Sequence, residues 1–483
     1  MLCKKYFPFL FLLFIFFGNA LQAQVITVSD DMTIRSDAGY YILGQMKGSL
    51  LLFRDRTNTF EIQAFNDKLR ATWSKEIELD KRRPQVVDVV ADEESFCIFY
   101  QFKRDGNTLL KAHKYDAAAN LIDSVVVKDF GSVFYTPELA ALPSEDRSKV
   151  VFYEIKDQKD IKAYSFDIKR MKSLWENTYE SKESARSRDL REILTDNAGN
   201  FYLIYERDNR KSQLENHRFE LYRLSAAGDA ARKAVDMTEY LRYDVRFEYD
   251  NLNKKLVVGG LYSEDNQAWA TGVFYTNFAI DDPEEPKITY HPFSDEFVFN
   301  LLDKGEKTPK KRKNKGISET DIREIVLRRD GGILIIGEQN RHMDRGYGNG
   351  SSSVNSAFGG RYITDYYYDD LFLVSLHPTG DLHWIDVLHK KQYSQDDDAI
   401  FSSYFLAKTP TALRLLFNDE IAYENTVSEY VVKGNGEFTR NSVMSTENQK
   451  IRLRFQDALQ TAADEVIVPS ESRNRLKLVR VKY

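Results

Sequence analysis

The sequence predicts an all-β fold made of repeated four-stranded units. Two kinds of hairpin pattern alternate along the chain, while helical periodicity is sparse. The first kind is clearest at residues 190–205 and 322–337, where a turn rich in Gly, Asn and Asp leads into an almost continuous apolar run. Such runs are typical of strands that are covered on both faces. Aromatic residues make up 13 % of the chain, and they too favour pleated, half-buried surfaces.

The second kind of hairpin is more polar, and residues 371–388 are its clearest copy. They comprise a strand, a turn at residues 378–381 and a second strand that carries Trp384. The first residues of the first four copies are 50, 51 and 58 positions apart, and such four-stranded antiparallel units predict a β-propeller. The further copies lie at residues 65–73, 115–123, 166–175, 224–232 and 432–440.

Counting these units predicts eight blades. The eighth unit has only three strand patterns, at residues 451–455, 465–468 and 476–482, and residues 25–29 offer a fourth. Pairing this N-terminal strand with the last blade would close the ring and remove an exposed sheet edge. The fifth unit has no clear closing turn, so seven blades remain the alternative. The predicted spans are 39–80, 86–130, 135–180, 189–237, 242–292, 320–392, 400–445 and 449–483.

Residues 1–23 have the three-part pattern of a secretory signal peptide. Two lysines precede an apolar run at residues 7–17, and small residues follow this run. The run holds 11 residues, whereas a bilayer span needs about 20. We expect cleavage after Ala23, with Ala20 as the alternative site, and a membrane anchor is the alternative role. The mature chain, residues 24–483, is predicted to be a single secreted or periplasmic β-propeller domain without a membrane span.

Composition and motifs predict no nucleic-acid partner, cofactor or metal. The chain has 74 acidic and 68 basic residues, a near balance that argues against nucleic-acid binding. Cys97 is the only cysteine of the predicted mature chain, and its apolar strand predicts a buried, inert thiol. HExxH, GxSxG, P-loop and helix-opening GxGxxG motifs are absent, so we predict no catalytic residue. His377, His383 and His389 recur every six residues, but a turn separates the first two, and we assign them no metal.

Two insertions, at residues 303–320 and 339–370, are predicted to be loops. The first is basic, and the second is rich in Gly, Ser and Tyr, a composition typical of adaptable binding loops. Strands alternate in direction within a blade, so the loop between strands two and three shares a face with the connection to the next blade. Both insertions and the acidic connection at residues 390–400 should therefore rise on one face of blades five to seven. The candidate partner-binding residues are Lys310, Lys311, Arg312, Lys313, Tyr362, Tyr366, Tyr367, Tyr368, Asp396, Asp397 and Asp398.

Over nearly all its predicted mature length the chain resembles secreted bacterial β-propeller proteins. The stretches that carry the resemblance are LREILTDNAGNFYLIY, IREIVLRRDGGILIIG and LFLVSLHPTGDLHW, which are motifs of the fold rather than of a site. The resemblance implies the propeller architecture. Because such proteins include enzymes, sugar binders and assembly scaffolds, it implies no single activity.

These observations favour a non-enzymatic protein that binds a protein or a glycan through the loop face of blades five to seven. One alternative is a hydrolase or lyase that acts on polysaccharide or peptide at the central channel. Carboxylates that converge there from several blades with raised pKa values would favour it. Another alternative is a structural component of a cell-envelope complex, which a large exposed apolar patch would favour. Nothing in the sequence indicates the oligomeric state.

Overall fold

The described residues form an eight-bladed β-propeller, which confirms the predicted fold class. Each blade is a four-stranded antiparallel sheet, and two of the sheets carry one further short strand. The predicted signal peptide lies outside the described residues, so its cleavage stays a prediction. The computed structural model describes residues 24–56, 59–80, 84–157, 160–180, 189–228, 231–302, 315–346, 362–421, 426–446, 451–472 and 474–483.

The first half of the chain forms blades one to four. The chain enters through β1 (Val25–Val28) and β2 (Met32–Thr33). Blade one is β3 (Asp37–Met46), β4 (Ser49–Arg56), β5 (Phe60–Phe65) and β6 (Ala71–Ile77). Blade two is β7 (Gln85–Ala91), β8 (Ser95–Arg104), β9 (Asn107–Asp116) and β10 (Leu121–Asp129). Blade three is β11 (Ala140–Pro143), β12 (Lys149–Lys156), β13 (Asp160–Asp167) and β14 (Lys172–Tyr179). Blade four is β15 (Leu190–Thr195), β16 (Phe201–Arg207), β17 (Arg218–Leu224) and β18 (Ala231–Asp236).

The second half forms blades five to eight. Blade five is β19 (Leu241–Asp250), β20 (Lys255–Ser263), β21 (Gly272–Phe278) and β22 (Thr289–Pro292), and helix α1 (Asp295–Leu302) follows it. Blade six is β23 (Thr320–Leu327), β24 (Ile333–Gly346), β25 (Tyr362–Leu376) and β26 (Leu382–Leu388), with β27 (Gln392–Gln395) after it. Blade seven is β28 (Phe405–Lys408), β29 (Ala412–Asn418), β30 (Thr426–Lys433) and β31 (Phe438–Ser445). The last strands are β32 (Leu459–Ala462), β33 (Glu465–Ser472) and β34 (Arg475–Lys482).

The first strand of each blade lies innermost and the fourth lies outermost. First strands of neighbouring blades contact one another around the ring, as β3 contacts β7 and β15 contacts β19. Middle strands such as β8 are almost wholly buried, whereas outer strands such as β31 are largely exposed. This gradient explains the two kinds of hairpin. The apolar hairpin holds strands one and two, and the polar hairpin ends on the strand that faces solvent.

Eight apolar clusters fill the spaces between neighbouring blades. Between blades two and three, Phe99 packs edge-on against Phe152 and Phe166, with ring centroids 5.0 Å and 5.8 Å apart. Cys97 lies in this cluster as a buried free thiol, and burial raises its pKa. Each sheet is therefore covered on both faces, as the continuous apolar runs require.

The N-terminal strand closes the ring, as predicted. β1 pairs with β34 along a ladder that runs from Val25 opposite Lys482 to Val28 opposite Val479. The order of the last sheet is β1-β34-β33-β32, so β1 is the outermost strand of blade eight. The two ends of the chain thus share one sheet, and β1 covers an edge that β34 would otherwise expose.

One predicted strand of blade eight is wrong. Residues 451–455 alternate like a strand, but the innermost strand is β32, and a 3₁₀ turn (Phe455–Asp457) follows the predicted segment. Leu453 makes only an isolated bridge with Ser470. The alternation has another cause: Ile451, Leu453 and Phe455 insert into the apolar cluster between blades seven and eight. Alternate side chains are therefore buried here although the segment forms no ladder of hydrogen bonds with a neighbouring strand.

Much of the predicted second insertion is strand rather than loop. β24 and β25 have 14 and 15 residues and continue beyond the blade as a paired extension. β27 adds a third strand to it by pairing with Asp365–Tyr368 of β25. We call this extension, residues 340–346, 362–368 and 392–395, the ribbon. Of the first insertion, residues 303–314 lie outside the described residues, and Ile317 bridges to Ala270 of blade five.

Candidate functional site

The ribbon, α1 and the connection to blade seven lie on one face of blades five to seven. The ribbon continues strands two and three of blade six, while α1 and β27 belong to the connections on either side of that blade. β27 pairs with β25, and α1 contacts β26. α1 precedes the first predicted insertion, of which the structure describes residues 315–320. There Glu319 O accepts the backbone N–H of Asn340 at 2.8 Å, so the described parts of the three predicted segments adjoin. Lys310, Lys311, Arg312 and Lys313 lie outside the described residues, and their role stays a prediction.

One face of the ribbon carries a row of two tyrosines and an arginine. Arg341, Tyr367 and Tyr393 are direct neighbours across the three strands. The guanidinium of Arg341 lies 4.6 Å from the ring centroid of Tyr367, and the Tyr367 and Tyr393 centroids are 5.1 Å apart. Tyr393 is 44 % exposed. Aromatic and cationic groups in contact on a paired sheet form a rigid surface that loses little entropy on binding.

Asp365 lies beside this row on the same face of the ribbon, and it holds Tyr393 in place. Its carboxylate accepts hydrogen bonds from Tyr393 Oη at 2.7 Å, Arg345 Nη2 at 2.7 Å and Gln395 Nε2 at 3.2 Å. The hydrogen bond from Arg345 is the main cause that lowers the pKa of Asp365. Asp365 is buried, so these donors replace its water and fix the Tyr393 ring.

The other predicted tyrosines lie on the opposite face of the ribbon. His342 packs against Tyr366 at a centroid distance of 5.0 Å, and Tyr366 donates to Asp398 Oδ1 at 3.3 Å. Tyr368 is buried, with its hydroxyl 3.3 Å from His342 Nε2. Tyr368 is therefore part of the scaffold, while Tyr366 and Tyr367 are half-buried. Tyr362 is described only as a backbone partner of Gly346.

The three predicted aspartates organise the turn after β27. Asp396 accepts the backbone N–H of Thr364 at 2.9 Å, and Asp397 accepts that of Ala399 at 3.1 Å. Their carboxylates thus bind backbone groups, and Asp398 binds Tyr366. Within the described ranges, no group of three or more Asp, Glu, His and Cys side chains is arranged to hold a metal ion.

A cavity of about 770 Å³ opens beside α1, between the ends of blades six and seven. In its wall His389 Nδ1 lies 3.0 Å from Asp370 Oδ2, and Asp419 forms an ion pair with Arg440. Phe299 of α1 covers one side. The cavity therefore has an apolar wall and charges of both signs, which suits a polar or zwitterionic group of a ligand.

Two fully buried charges lie beneath this cavity. Lys390 Nζ is 2.6 Å from Glu338 Oε1, and neither side chain is exposed. Lys390 also donates to Gln392 Oε1 at 2.9 Å, and Ser403 Oγ donates to Glu338 at 2.6 Å. Burial lowers the pKa of Lys390. Sequence reasoning missed both residues, because a lysine in a charged connection and a lone glutamate in a strand give no signal of burial.

The central channel holds a second group of candidate residues. In the first strand of four of the blades, a β-bulge comes directly before an acidic residue. These residues are Asp88, Glu192, Asp244 and Glu324. Burial raises the pKa of all four. Asp244 accepts the backbone N–H of Ile322 at 2.7 Å, so it links blade five to blade six. The repeated position shows that these carboxylates belong to the inner architecture of the ring.

Glu248 of blade five stands among these carboxylates. Burial, followed by the charges of Glu192 and Glu324, raises its pKa to about 7. Lys408 and Arg246 act in the opposite direction, and Arg246 lies 3.5 Å from Glu192. Acidic groups from blades four, five and six thus converge beside a lysine of blade seven. A carboxyl that titrates near neutrality is chemically able to donate or accept a proton.

Sequence reasoning also missed an exposed aromatic pair on the same face. Phe134 and Tyr135 are 86 % and 81 % exposed, with ring centroids 4.7 Å apart. They lie in the connection between blades two and three, on the far side of the ring from the ribbon. The sequence signal that could have revealed them is a pair of adjacent aromatic residues in a segment that has no strand pattern. None of the helices in the described part of the chain has the length and apolar character to cross a membrane.

No protein-family model matches the chain, and no curated protein is significantly similar to its sequence. Solved structures resemble it in fold at low identity. The polysaccharide lyase Uly1 is 8 % identical over 94 % of this chain and 99 % of its own, with a TM-score of 0.40. The Nup133 β-propeller domain of Vanderwaltozyma polyspora is 9 % identical over 95 % and 98 %, with a TM-score of 0.40. A europium-containing methanol dehydrogenase is 9 % identical over 94 % and 93 %, with a TM-score of 0.42. These likenesses concern the fold alone.

Proposed function

We propose that the protein is exported and binds a protein or a glycan, without catalysing a reaction, through the ribbon face of blades five to seven. The observation that carries the proposal is the row of Arg341, Tyr367 and Tyr393. It projects beyond the blade on three paired strands, and Asp365 holds Tyr393 in place by a hydrogen bond. A surface that needs no rearrangement avoids part of the entropy cost of binding.

Point variants test the proposal better than deletions, because deleting most of residues 346–369 would leave the ribbon part of β24 unpaired. We expect the double variant Tyr367→Ala/Tyr393→Ala to weaken partner binding at least about tenfold, since a few aromatic side chains dominate the energy of such surfaces. The immobilised mature protein is presented with a glycan array and with solubilised envelope proteins. The affinity of each identified partner is then measured by biolayer interferometry.

The matched control is Phe134→Ala/Tyr135→Ala, which removes two exposed aromatics from the same face at a distant blade. This variant should bind the partner as the wild-type protein does. Equal affinity of the ribbon variant and the wild-type protein would rule out the ribbon as the binding surface. A loss confined to the Phe134 and Tyr135 variant would move the site to blades two and three.

The channel carboxylates support a second candidate function, a hydrolase or lyase that acts on polysaccharide or peptide. Glu248 is the group that would exchange a proton, because its pKa is raised to about 7. Turnover of a polysaccharide or peptide panel by the wild-type protein, lost in Glu248→Gln, would establish this candidate. Turnover that persists in the variant would remove Glu248 from the reaction.

Export is proposed on the leader pattern of residues 1–23. β1 begins at Val25, so cleavage after either Ala20 or Ala23 leaves the closing strand intact. Mass spectrometry of the protein from periplasmic and culture-medium fractions should give a mature start at Leu21 or Gln24. A full-length protein that fractionates with the membrane would instead support an anchor.

A further inference from the structure

The edge of β24 that faces away from β25, called its outer edge below, loses its partner strand at the base of the ribbon. β23 pairs with β24 only as far as Gln339, opposite Thr320. The backbone N–H of Asn340 still donates to Glu319 O at 2.8 Å. Beyond that point the chain departs toward blade five, where Ile317 exchanges two backbone hydrogen bonds with Ala270. No described residue pairs with the outer edge of residues 341–346.

The hydrogen-bonding groups of this edge can be assigned from the ladder. Backbone N–H and C=O groups of a strand point alternately to its two sides. Asn340 points outward, and the pairing with β25 is regular from Asn340 to Gly346. His342 and Asp344 therefore also direct their N–H and C=O groups outward. A second extended chain would find two donors and two acceptors in register there.

The side chains along the edge define what kind of chain would fit. Arg341, Met343 and Arg345 lie on one face of β24, and Met343 is 44 % exposed. Arg341 and Arg345 are four residues apart with the apolar Met343 between them. A chain laid along the edge would meet them with acidic, apolar and acidic side chains at alternate positions. Charged side chains on a strand edge usually block pairing with other proteins. The two arginines would therefore exclude most segments and admit one with acidic side chains opposite them.

A cavity of about 170 Å³ lies where the edge becomes free. Leu302 of α1 and Gln339 line it, together with the ring of Tyr367. Gln339 Oε1 is buried there and accepts no hydrogen bond from a described residue. The end of an added strand could thus donate to this oxygen and place a small side chain in the cavity.

We infer that the free edge of β24, residues 341–346, takes an acidic extended segment of a protein partner as an added strand. The inference rests on the proposed function, because it assigns a protein segment to the same face. The inferred binding differs in mechanism from binding by the tyrosine row. The backbone of His342 and Asp344 supplies the affinity, and the side chains of Arg341 and Arg345 supply the selectivity.

A synthetic peptide tests this assignment. The probe is the capped heptapeptide Thr-Glu-Thr-Val-Thr-Glu-Thr, which places two Glu four residues apart around one Val. We expect a dissociation constant below about 1 mM by calorimetry, and at least about tenfold weaker binding when both Glu are replaced by Lys. N-methylation of the amides that face β24 should abolish binding, while N-methylation of the alternate amides should not. Equal binding of both methylated peptides would overturn the inference.

A pair of protein variants gives the matching control. Asp344→Pro removes the outward N–H without breaking the ladder to β25, because proline is tolerated where a strand edge faces solvent. Asp344→Ser keeps the N–H and removes the same carboxylate. We expect the proline variant to bind the peptide at least about tenfold more weakly than the serine variant, with unchanged circular dichroism. Equal binding by the two variants contradicts strand addition.

The remaining outcomes separate this inference from the proposed function. If Asp344→Pro keeps the partner and Tyr367→Ala/Tyr393→Ala loses it, the tyrosine face binds and the edge does not. If both keep it, the proposed function fails as well. A wild-type dimer in light scattering that Asp344→Pro converts to a monomer would make a second copy the occupant. Peptide binding seen only after deletion of residues 303–314 would make the chain itself the occupant, and either result overturns the inference.

Discussion

At the residue scale, the most consequential side chains are charges that the fold removes from water. Lys390 and Glu338 are wholly buried. Lys390 donates a hydrogen bond to Gln392, and Glu338 accepts one from Ser403. A buried pair of this kind is costly to break, because the remaining charge is left without water. The pair joins the base of the ribbon to the connection that carries β27. It therefore stabilises the surface to which we assign binding.

Lys390→Met should lower the free energy of unfolding by about 3 kcal/mol, because Glu338 would keep a buried charge that, among the described residues, only Arg323 Nε, 3.3 Å away, still balances. The double variant Lys390→Met/Glu338→Leu should recover more than half of this loss, since neither charge remains. Urea unfolding followed by tryptophan fluorescence measures both. Lys391→Met is the matched control, because Lys391 is the exposed neighbour, and it should change stability by less than about 0.5 kcal/mol. A double variant no more stable than the single variant would contradict this account.

Glu248 should make stability depend on pH near neutrality. Its pKa is raised from 4.5 to about 7 in the folded protein. Between these values the folded state holds a proton that the unfolded state has lost, so stability falls as pH rises through this window. Glu248→Gln should therefore match the wild-type protein at pH 4 and exceed it at pH 8 by about 1–3 kcal/mol.

Unfolding of both proteins across this pH range, by urea at constant ionic strength, measures the difference. Glu93→Gln, on an exposed turn of blade two, serves as the control and should follow the wild-type curve. A difference between Glu248→Gln and the wild-type protein that does not change with pH would exclude a carboxyl titrating near neutrality.

At the element scale, the hairpin of β25 and β26 joins blade six to blade five. Its turn residue Gly380 has a φ of +92°, and its carbonyl accepts His291 Nε2 of β22 at 2.6 Å. A Cβ on Gly380 would stand 2.3 Å from Thr289 Oγ1. The glycine thus serves two purposes. It adopts a left-handed conformation, and it lets two blades approach closely.

Gly380→Ala should cost about 2–3 kcal/mol of stability, from the strained φ and from the clash with Thr289. Gly228→Ala isolates the first contribution, because Gly228 has a φ of +88° and no described atom within 4 Å of its Cβ position. That control should cost only about 1 kcal/mol. Thermal unfolding by calorimetry compares them, and equal costs would show that the contact with Thr289 is unimportant.

At the scale of the whole molecule, closure depends on four residues near the N-terminus. β1 is the outer strand of blade eight, and Ile26 and Val28 pack against the cluster between blades seven and eight. Val25 on the same strand is 58 % exposed. The ring therefore depends on one face of a short strand that is distant in sequence from the strands it joins.

Val28→Asp should lower the free energy of unfolding by about 2 kcal/mol and promote aggregation, because it places a charge against the apolar cluster and frees the edge of β34. Val25→Asp introduces the same charge on the exposed face and should change stability by less than about 0.5 kcal/mol. Urea unfolding and size-exclusion chromatography report the two effects. Equal destabilisation by both substitutions would mean that strand pairing, rather than burial, provides the closure.

The sequence by itself determined the ring, its eight blades and its N-terminal closing strand. These features follow from local chemistry, since turn residues and the burial of successive strands recur at a regular spacing. It also placed Tyr366 and Tyr367 on the correct face, because antiparallel order alone settles where a connection emerges. It failed at residues 451–455, where alternate burial occurs without strand pairing.

Only the tertiary structure decided how the candidate site is built. Tyr393 joins Tyr367 because β27 folds back onto β25, and Lys390 meets Glu338 across 52 residues of sequence. Glu192, Glu248 and Glu324 come together because three blades converge on the channel. Each of these contacts joins segments that are distant in sequence. The residue pattern within one segment does not indicate which other segment will pack against it in the folded protein.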